Sequence, residues 1–171
     1  RDNRAFIAFA KKYGSEATLA EATDVVNELQ VKHLSELVLK HLSSTSDESV
    51  SILGLAYKPN TPVIEESAGI KVIDDLIKKN VKITVYDPLA MDGVRSLFGD
   101  AIDYAESVKY CLSRSPFWII TTPLDEFKSL DDSFISHNRT TIIDCWRVID
   151  PAKFQKKVKY VALGRSCEWS T

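Results

Sequence analysis

The first quarter of the chain has the apolar pattern of two helices. Residues 3–13 carry apolar side chains at helical spacing, and Gly14 is a residue that commonly ends a helix. From residue 19 to residue 42 the helical spacing continues without Gly or Pro, which predicts one helix of about 25 residues with Thr18 as its N-cap. A helix of this length is better suited to joining two bodies, or to packing in a dimer, than to one compact domain.

The rest of the chain alternates between short apolar runs and amphipathic segments. A polar stretch at residues 43–49 separates the two parts, so we expect a helical region over residues 1–46 and a second domain over residues 47–171. Apolar runs predict strands at residues 50–56, 81–88, 117–123, 140–146 and 160–164. Because helical patterns lie between these strands, we predict an α/β fold: a three-layer, Rossmann-like sandwich built on a parallel sheet.

Composition narrows the function classes. The 171 residues include 22 Lys and Arg against 24 Asp and Glu, so the formal charge of -2 offers no general attraction for nucleic acid or an anionic membrane surface. No apolar run approaches the ~20 residues of a membrane helix. Three scattered cysteines without zinc-ligand spacing predict no metal site and a reducing, cytoplasmic setting. No signal peptide is recognisable at the start of the chain. Because the chain opens with Arg1 rather than Met, we expect it to be a fragment of a longer protein or a processed product.

The turn after the first predicted strand is the main clue to chemistry. In parallel sheets, ligands bind at the carboxyl ends of the strands. The turn reads GLAYKPNT at residues 54–61, with one glycine where a dinucleotide site would have Gly-x-Gly-x-x-Gly. Lys58 favours a site in which the charged ammonium group binds a phosphate. A solvated lysine in a loop is an equally good interpretation.

Other polar groups near strand ends leave two interpretations open. Asp87 follows the second strand and fits either a ribose-binding carboxylate or a cap of the turn before Pro88. Cys145 is more typical of a buried structural thiol than of a nucleophile. Glu65 and Glu66 precede a helix, where carboxylates complement the helix dipole.

Several motifs together resemble one family. The chain has GLAYKPNT at residues 54–61, ES at 66–67 and YDP at 86–88. These match a signature of approximately G-L-[AS]-[FY]-K-P-x-T-x-D-x-R-E-S, then a helix and a strand ending Y-D-P, in the UDP-glucose/GDP-mannose dehydrogenase family. The opening RDNRAFIAFAKKYG, VVNELQ at 25–30, DCWRVIDP at 144–151 and YVALGR at 160–165 are also similar to the family.

The resemblance implies a function and a domain arrangement. The family oxidises a sugar C6 alcohol to a carboxylate in two NAD-dependent steps, giving a UDP-uronic acid for polysaccharide biosynthesis. An N-terminal Rossmann domain binds NAD, a long central helix forms the core of a homodimer, and the C-terminal α/β domain binds the UDP-sugar. The chain resembles the central helix plus that C-terminal domain, without the segment that carries the catalytic cysteine.

The resemblance also implies roles for individual residues. Lys58 would bind the diphosphate of the UDP-sugar, with Tyr57 beside it. Asp2 matches the aspartate four residues after the catalytic cysteine, which in the family helps to activate water or to hold the active-site network. Arg1 falls in the segment that lines the NAD site.

Two positions depart from the family pattern. Glu65 stands where the family has an arginine that contacts NAD, and a carboxylate cannot replace a guanidinium there. The substrate-binding arginine of the family's D-G-R motif falls on Trp146, and Arg147 is the candidate substitute one position on. These departures suggest a branch that acts on an N-acetylated UDP-sugar.

A different class of function also fits part of the pattern. The alternative is a stand-alone flavodoxin-like module that binds a nucleotide or phosphate, or that signals, without catalysis. Asp87 would then act as a phospho-acceptor and Lys58 as a phosphate sensor. Such modules have the acceptor after a middle strand and the lysine after a late one, which is the reverse of the order in this chain.

Overall fold

A computed structural model describes residues 2–44, 48–155 and 157–164. It confirms the α/β fold and the long N-terminal helix. The helices are α1 (Asp2–Lys12), α2 (Thr18–Ser43), α3 (Ala68–Ile77), α4 (Met91–Phe98) and α5 (Val108–Ser113). The strands are β1 (Ser49–Leu53), β2 (Lys82–Tyr86), β3 (Asp103–Tyr104), β4 (Phe117–Ile120), β5 (Thr140–Asp144) and β6 (Val158–Ala162).

The strands form one sheet in the order β3-β2-β1-β4-β5-β6, and every neighbouring pair is parallel. Strands β2 and β3 are added on one side of β1, and β4, β5 and β6 are then added on the other side of β1. The strand order therefore reverses between β1 and β4, and ligands of open α/β sheets bind in the crevice at such a point.

Each face of the sheet is covered by its own apolar core. Side chains of a strand alternate between the two faces, so Ile119 lies in one core and Trp118 in the other. Helices α2, α3 and α4 contribute to the first core, and α5 and several 3₁₀ turns contribute to the second. This explains why all four residues of the central strand β4, Phe117–Ile120, are apolar and buried.

Only the C-terminal half of the long helix α2 packs in the core that covers the sheet. Leu34, Val38 and Leu42 in its C-terminal half are buried in the first core. The N-terminal half pairs with α1 and leaves several large apolar side chains exposed, namely Leu19, Val25, Val26 and Leu29. The helix has 26 residues because it spans both environments.

Two local details differ from the sequence predictions. The proposed N-cap at Thr18 is wrong, since Thr18 is the first helical residue and Ala17 occupies the N-cap position without a side-chain hydrogen bond. Strand β3 escaped prediction because its two residues are too few to show any periodicity. Among the described residues, none of the helices combines the length and apolarity needed to cross a membrane.

Candidate functional site

A cavity of about 590 Å³ lies at the carboxyl edge of the sheet. One wall consists of residues that follow strands: Ala56, Tyr57 and Lys58 after β1, Thr121 after β4, and Cys145 and Trp146 after β5. Helix α2 also lines the cavity, with polar residues that include Asp24, Asn27, Glu28 and Gln30. The cavity is therefore shared between the long helix and the crevice where the strand order reverses.

The turn after β1 passes unusually close to the end of β4. Gly54 has φ +84°, and a Cβ on it would lie 2.6 Å from the Thr122 Cβ and 2.8 Å from the Thr122 nitrogen. The Thr121 hydroxyl donates a hydrogen bond to the Gly54 carbonyl, and the Thr122 hydroxyl donates to the Ala56 carbonyl at 2.8 Å. Only glycine suits this turn, because any side chain would meet backbone in a left-handed conformation.

Asp87 fixes the other side of the same turn. Its carboxylate is 2% exposed and accepts four backbone hydrogen bonds, two from Leu55 and Ala56 and two from Leu89 and Ala90, at 2.7 to 3.1 Å. The structure thus favours the capping interpretation over the ribose-binding one. A carboxylate engaged in this way is also unsuited to accept a phosphoryl group, which removes the basis of the signalling-module alternative.

Lys58 and Tyr57 both line the cavity, as the turn predicted. The Tyr57 backbone N–H donates to the Val63 carbonyl at 2.7 Å, so the loop closes on itself and holds both side chains at the sheet edge. The Lys58 side chain is exposed and takes no part in the ion pairs found within the described part of the chain. Its ammonium group is therefore available to an anionic ligand.

A charged network that the sequence analysis missed joins α1, α2 and the loop before α3. Arg4 donates to Asp24 at 3.1 Å, to Glu28 at 3.1 Å and to Glu66 at 2.7 Å. Lys71 also binds Glu66, at 2.7 Å. The hydrogen bond from Lys71 is the largest cause that lowers the pKa of Glu66, and the hydrogen bond to Asp24 is the largest that raises the pKa of Arg4.

The end of β5 is organised around a second buried carboxylate. Asp144 is fully buried and accepts hydrogen bonds from the backbone of Trp146 and Ile149 and from the Tyr160 hydroxyl, each at 3.0 or 3.1 Å. The Trp146 indole N–H donates to the Thr121 carbonyl at 2.9 Å. These bonds join the ends of β4, β5 and β6 into one rigid edge.

Arg147 lies beside the cavity and is absent from its wall. It has φ +58°, and its guanidinium donates to the Leu163 carbonyl at 3.0 Å. Leu163 does line the cavity, so the guanidinium stands behind one of the lining residues. The substrate-binding role suggested for Arg147 stays a prediction.

Cys145 lines the cavity as a protonated thiol. Burial, and next the charge of Asp144, raises the pKa of its thiol to about 12. A thiol with that pKa carries almost no thiolate near neutral pH, so it is not an activated nucleophile. This agrees with the structural role favoured from the sequence.

Two other predicted residues, Glu65 and Asp2, are not part of the cavity wall. Glu65 is exposed, and its neighbour Glu66, which has a left-handed backbone with φ +63°, lines the cavity instead. Asp2 is an exposed residue at the start of α1. Arg1 lies outside the described residues.

The first turn of the described sheet lacks the features of a dinucleotide-binding turn. In a dinucleotide site the backbone N–H groups of this first turn meet the pyrophosphate. Here the N–H groups of Leu55 and Ala56 are already bonded to Asp87. Glu65 would add negative charge rather than a cation, so we assign no NAD-binding step to this part of the protein.

Comparisons with known proteins agree with this geometry. The UDP binding domain of the UDP-glucose/GDP-mannose dehydrogenase family matches residues 51–151. UDP-glucose 6-dehydrogenase AglM of Haloferax volcanii is 34% identical over 149 residues, which are 87% of this chain and 34% of that protein. The structure of a UDP-glucose dehydrogenase from Pyrobaculum islandicum superposes with a TM-score of 0.75 at 29% identity, over 94% of this chain and 35% of that one.

A more distant structure supports the fold alone. GDP-mannose dehydrogenase of Pseudomonas aeruginosa superposes with a TM-score of 0.69 at 17% identity, over 93% of this chain and 37% of that one. The chain thus spans about a third of the length of the relatives that it matches. The matched UDP-binding domain, the parallel sheet and the cavity at its edge lead to one conclusion: this chain belongs to the UDP-glucose/GDP-mannose dehydrogenase family.

Proposed function

We propose that the chain is the UDP-sugar-binding part of an NAD-dependent UDP-sugar 6-dehydrogenase. The complete enzyme oxidises the C6 alcohol of the sugar to a carboxylate, and its UDP-uronic acid product serves polysaccharide biosynthesis. In this proposal NAD binds mainly to an N-terminal domain outside the chain. Residues 47–171 bind the nucleotide, and residues 1–46 form the dimer core. The reaction takes place in the cytoplasm, where free thiols such as Cys111 and Cys145 stay reduced.

The exposed lysine at the sheet edge is the observation that carries the proposal. Lys58 lines a cavity large enough for a nucleotide, at the crevice where such sheets bind ligands. The Lys58 ammonium group forms no ion pair with any residue that the structure describes, and such a group is a strong donor to a diphosphate. The turn falls within residues 51–151, which match the UDP binding domain of the family, and relatives of the chain are named UDP-glucose 6-dehydrogenases.

The other site residues keep proposed roles of different kinds. Tyr57 lies next to Lys58 on the cavity wall and provides an exposed ring to the ligand. Arg147 would reach the substrate only after its hydrogen bond to Leu163 breaks. Asp2 is proposed to help activate water, and Arg1 and Glu65 to lie near NAD, when the domain that carries the catalytic cysteine is in place.

Exposed apolar side chains on α1 and α2 support the proposed dimer. Phe6 and Phe9 on α1 are more than half exposed, as are Val25 and Val26 on α2. Exposed apolar surface that is concentrated in this way is typical of a protein–protein interface. A second copy of the same helix pair is the partner we propose, because the family resemblance assigns the long helix to a homodimer core.

Calorimetric titration of the chain with UDP tests the proposal. We expect the wild-type chain to bind UDP, and Lys58→Ala to weaken binding by about 1.5–3 kcal/mol because a charge-assisted hydrogen bond is lost. Lys82→Ala is the matched control, since Lys82 is an exposed lysine at the opposite, amino-terminal edge of the sheet. Absence of UDP binding, or equal losses in the two variants, would contradict the proposal.

A further inference from the structure

An exposed tryptophan lines the candidate site. Trp146 is 56% exposed, although tryptophan in folded proteins is on average highly buried. Trp118 shows the usual behaviour, with 1% exposure in the core. The exposed surface of Trp146 lies on the wall of the cavity that also contains Lys58.

The exposed ring is firmly held. Its indole N–H donates to the Thr121 carbonyl at 2.9 Å, and its backbone N–H donates to Asp144 at 3.0 Å. Asp144 is in turn bonded to Ile149 and Tyr160. A side chain that is already fixed loses little conformational entropy when a ligand packs against it, so the ring is preorganised for binding.

The surroundings of the ring match the parts of a nucleotide. Tyr57, 52% exposed, adds a second ring to the same wall, next to the ammonium group of Lys58. Asn27 and Gln30 of α2 also line the cavity, and their amide groups can both donate and accept hydrogen bonds. Flat apolar surface, a cation and amides in one cavity suit a planar ring that is joined to phosphate.

We infer that Trp146 is the surface on which the nucleobase of the bound nucleoside diphosphate stacks. This inference rests on the proposed function and names a residue that determines how its substrate is held. Stacking on an aromatic side chain tolerates any base, because every base has a π-face. Trp146 therefore contributes to affinity for UDP and GDP alike, and hydrogen bonds to the base edge select between them.

Calorimetry on variants of the chain tests this role. Trp146→Ala is expected to weaken UDP and GDP binding by about tenfold or more. The affinity for inorganic pyrophosphate, measured by competition with UDP, is expected to stay unchanged. Trp146→Phe keeps a ring and is expected to retain most of the affinity. Tyr110→Ala is the control, because Tyr110 is 53% exposed on α5, which packs on the opposite face of the sheet. Thermal melts followed by circular dichroism confirm that each variant is folded.

The possible results separate this inference from the function on which it rests. If Lys58→Ala weakens UDP binding and Trp146→Ala does not, the stacking role is wrong and the proposed function stands. If Trp146→Ala weakens binding of UDP-glucose but not of UDP, the ring contacts the hexose and the nucleobase role is wrong. An equal loss of pyrophosphate binding would mean that the cavity itself is disturbed, which also overturns the inference. If the wild-type chain does not bind UDP, the proposed function is wrong, and the stacking role that rests on it is wrong as well.

Discussion

Replacing Asp87 with Asn tests how the site is built. The carboxylate accepts four backbone hydrogen bonds at 2.7, 3.1, 2.9 and 2.9 Å. The amide oxygen of Asn can serve one pair of these N–H groups, while its NH₂ group faces the other pair. Two N–H groups then lose their acceptor, at about 1–3 kcal/mol each. Asp87→Asn should therefore destabilise the fold by about 4 kcal/mol, a large part of a typical 5–15 kcal/mol stability.

Urea unfolding followed by circular dichroism measures this loss by linear extrapolation. Asp100→Asn is the matched control, since Asp100 is exposed and the change should stay within about 0.5 kcal/mol. The reasoning would be refuted if Asp87→Asn cost less than about 1 kcal/mol and instead lowered affinity for UDP. That result would show that the carboxylate binds the ligand and does not hold the turn.

Three further variants test separate parts of the structure. Gly54→Ala is expected to cost about 2 kcal/mol more than Gly14→Ala in urea unfolding, because both glycines have positive φ but only the first would clash with the end of β4; equal costs would contradict the close approach. Glu66→Gln should lower stability at neutral pH, since Lys71 lowers the pKa of Glu66. The wild-type advantage should vanish as the pH falls through this lowered pKa of Glu66; an advantage that persists in strong acid would argue against the ion pair. Val26→Asp, on the exposed side of α2, should convert the proposed dimer to a folded monomer in light scattering, and a variant that stays dimeric would place the interface elsewhere.

The sequence predicted the elements whose signal is local. Strand β1 (Ser49–Leu53) was recognisable because a strand buried on both faces is a continuous apolar run. The length of α2 was recognisable because neither Gly nor Pro interrupts it. Strand β3 was not, since it is defined by pairing with β2 rather than by any pattern of its own.

The site was predictable only where strand ends determine it. Tyr57 and Lys58 follow a strand directly, so the rule for parallel sheets was enough to place them. For Asp87, spacing alone could not decide between ribose and backbone, because the choice depends on which N–H groups surround the carboxylate in space. The pairing of Arg4 with Glu66 gave no signal, because the two residues are 62 positions apart.

The most direct test of the central claim is a crystal structure of the chain with UDP. The account predicts the diphosphate in the cavity at the carboxyl edge of the sheet, with an oxygen about 2.7–2.9 Å from the Lys58 Nζ atom. Electron density for UDP at another place, or a Lys58 side chain directed away from a diphosphate bound in this cavity, would contradict it.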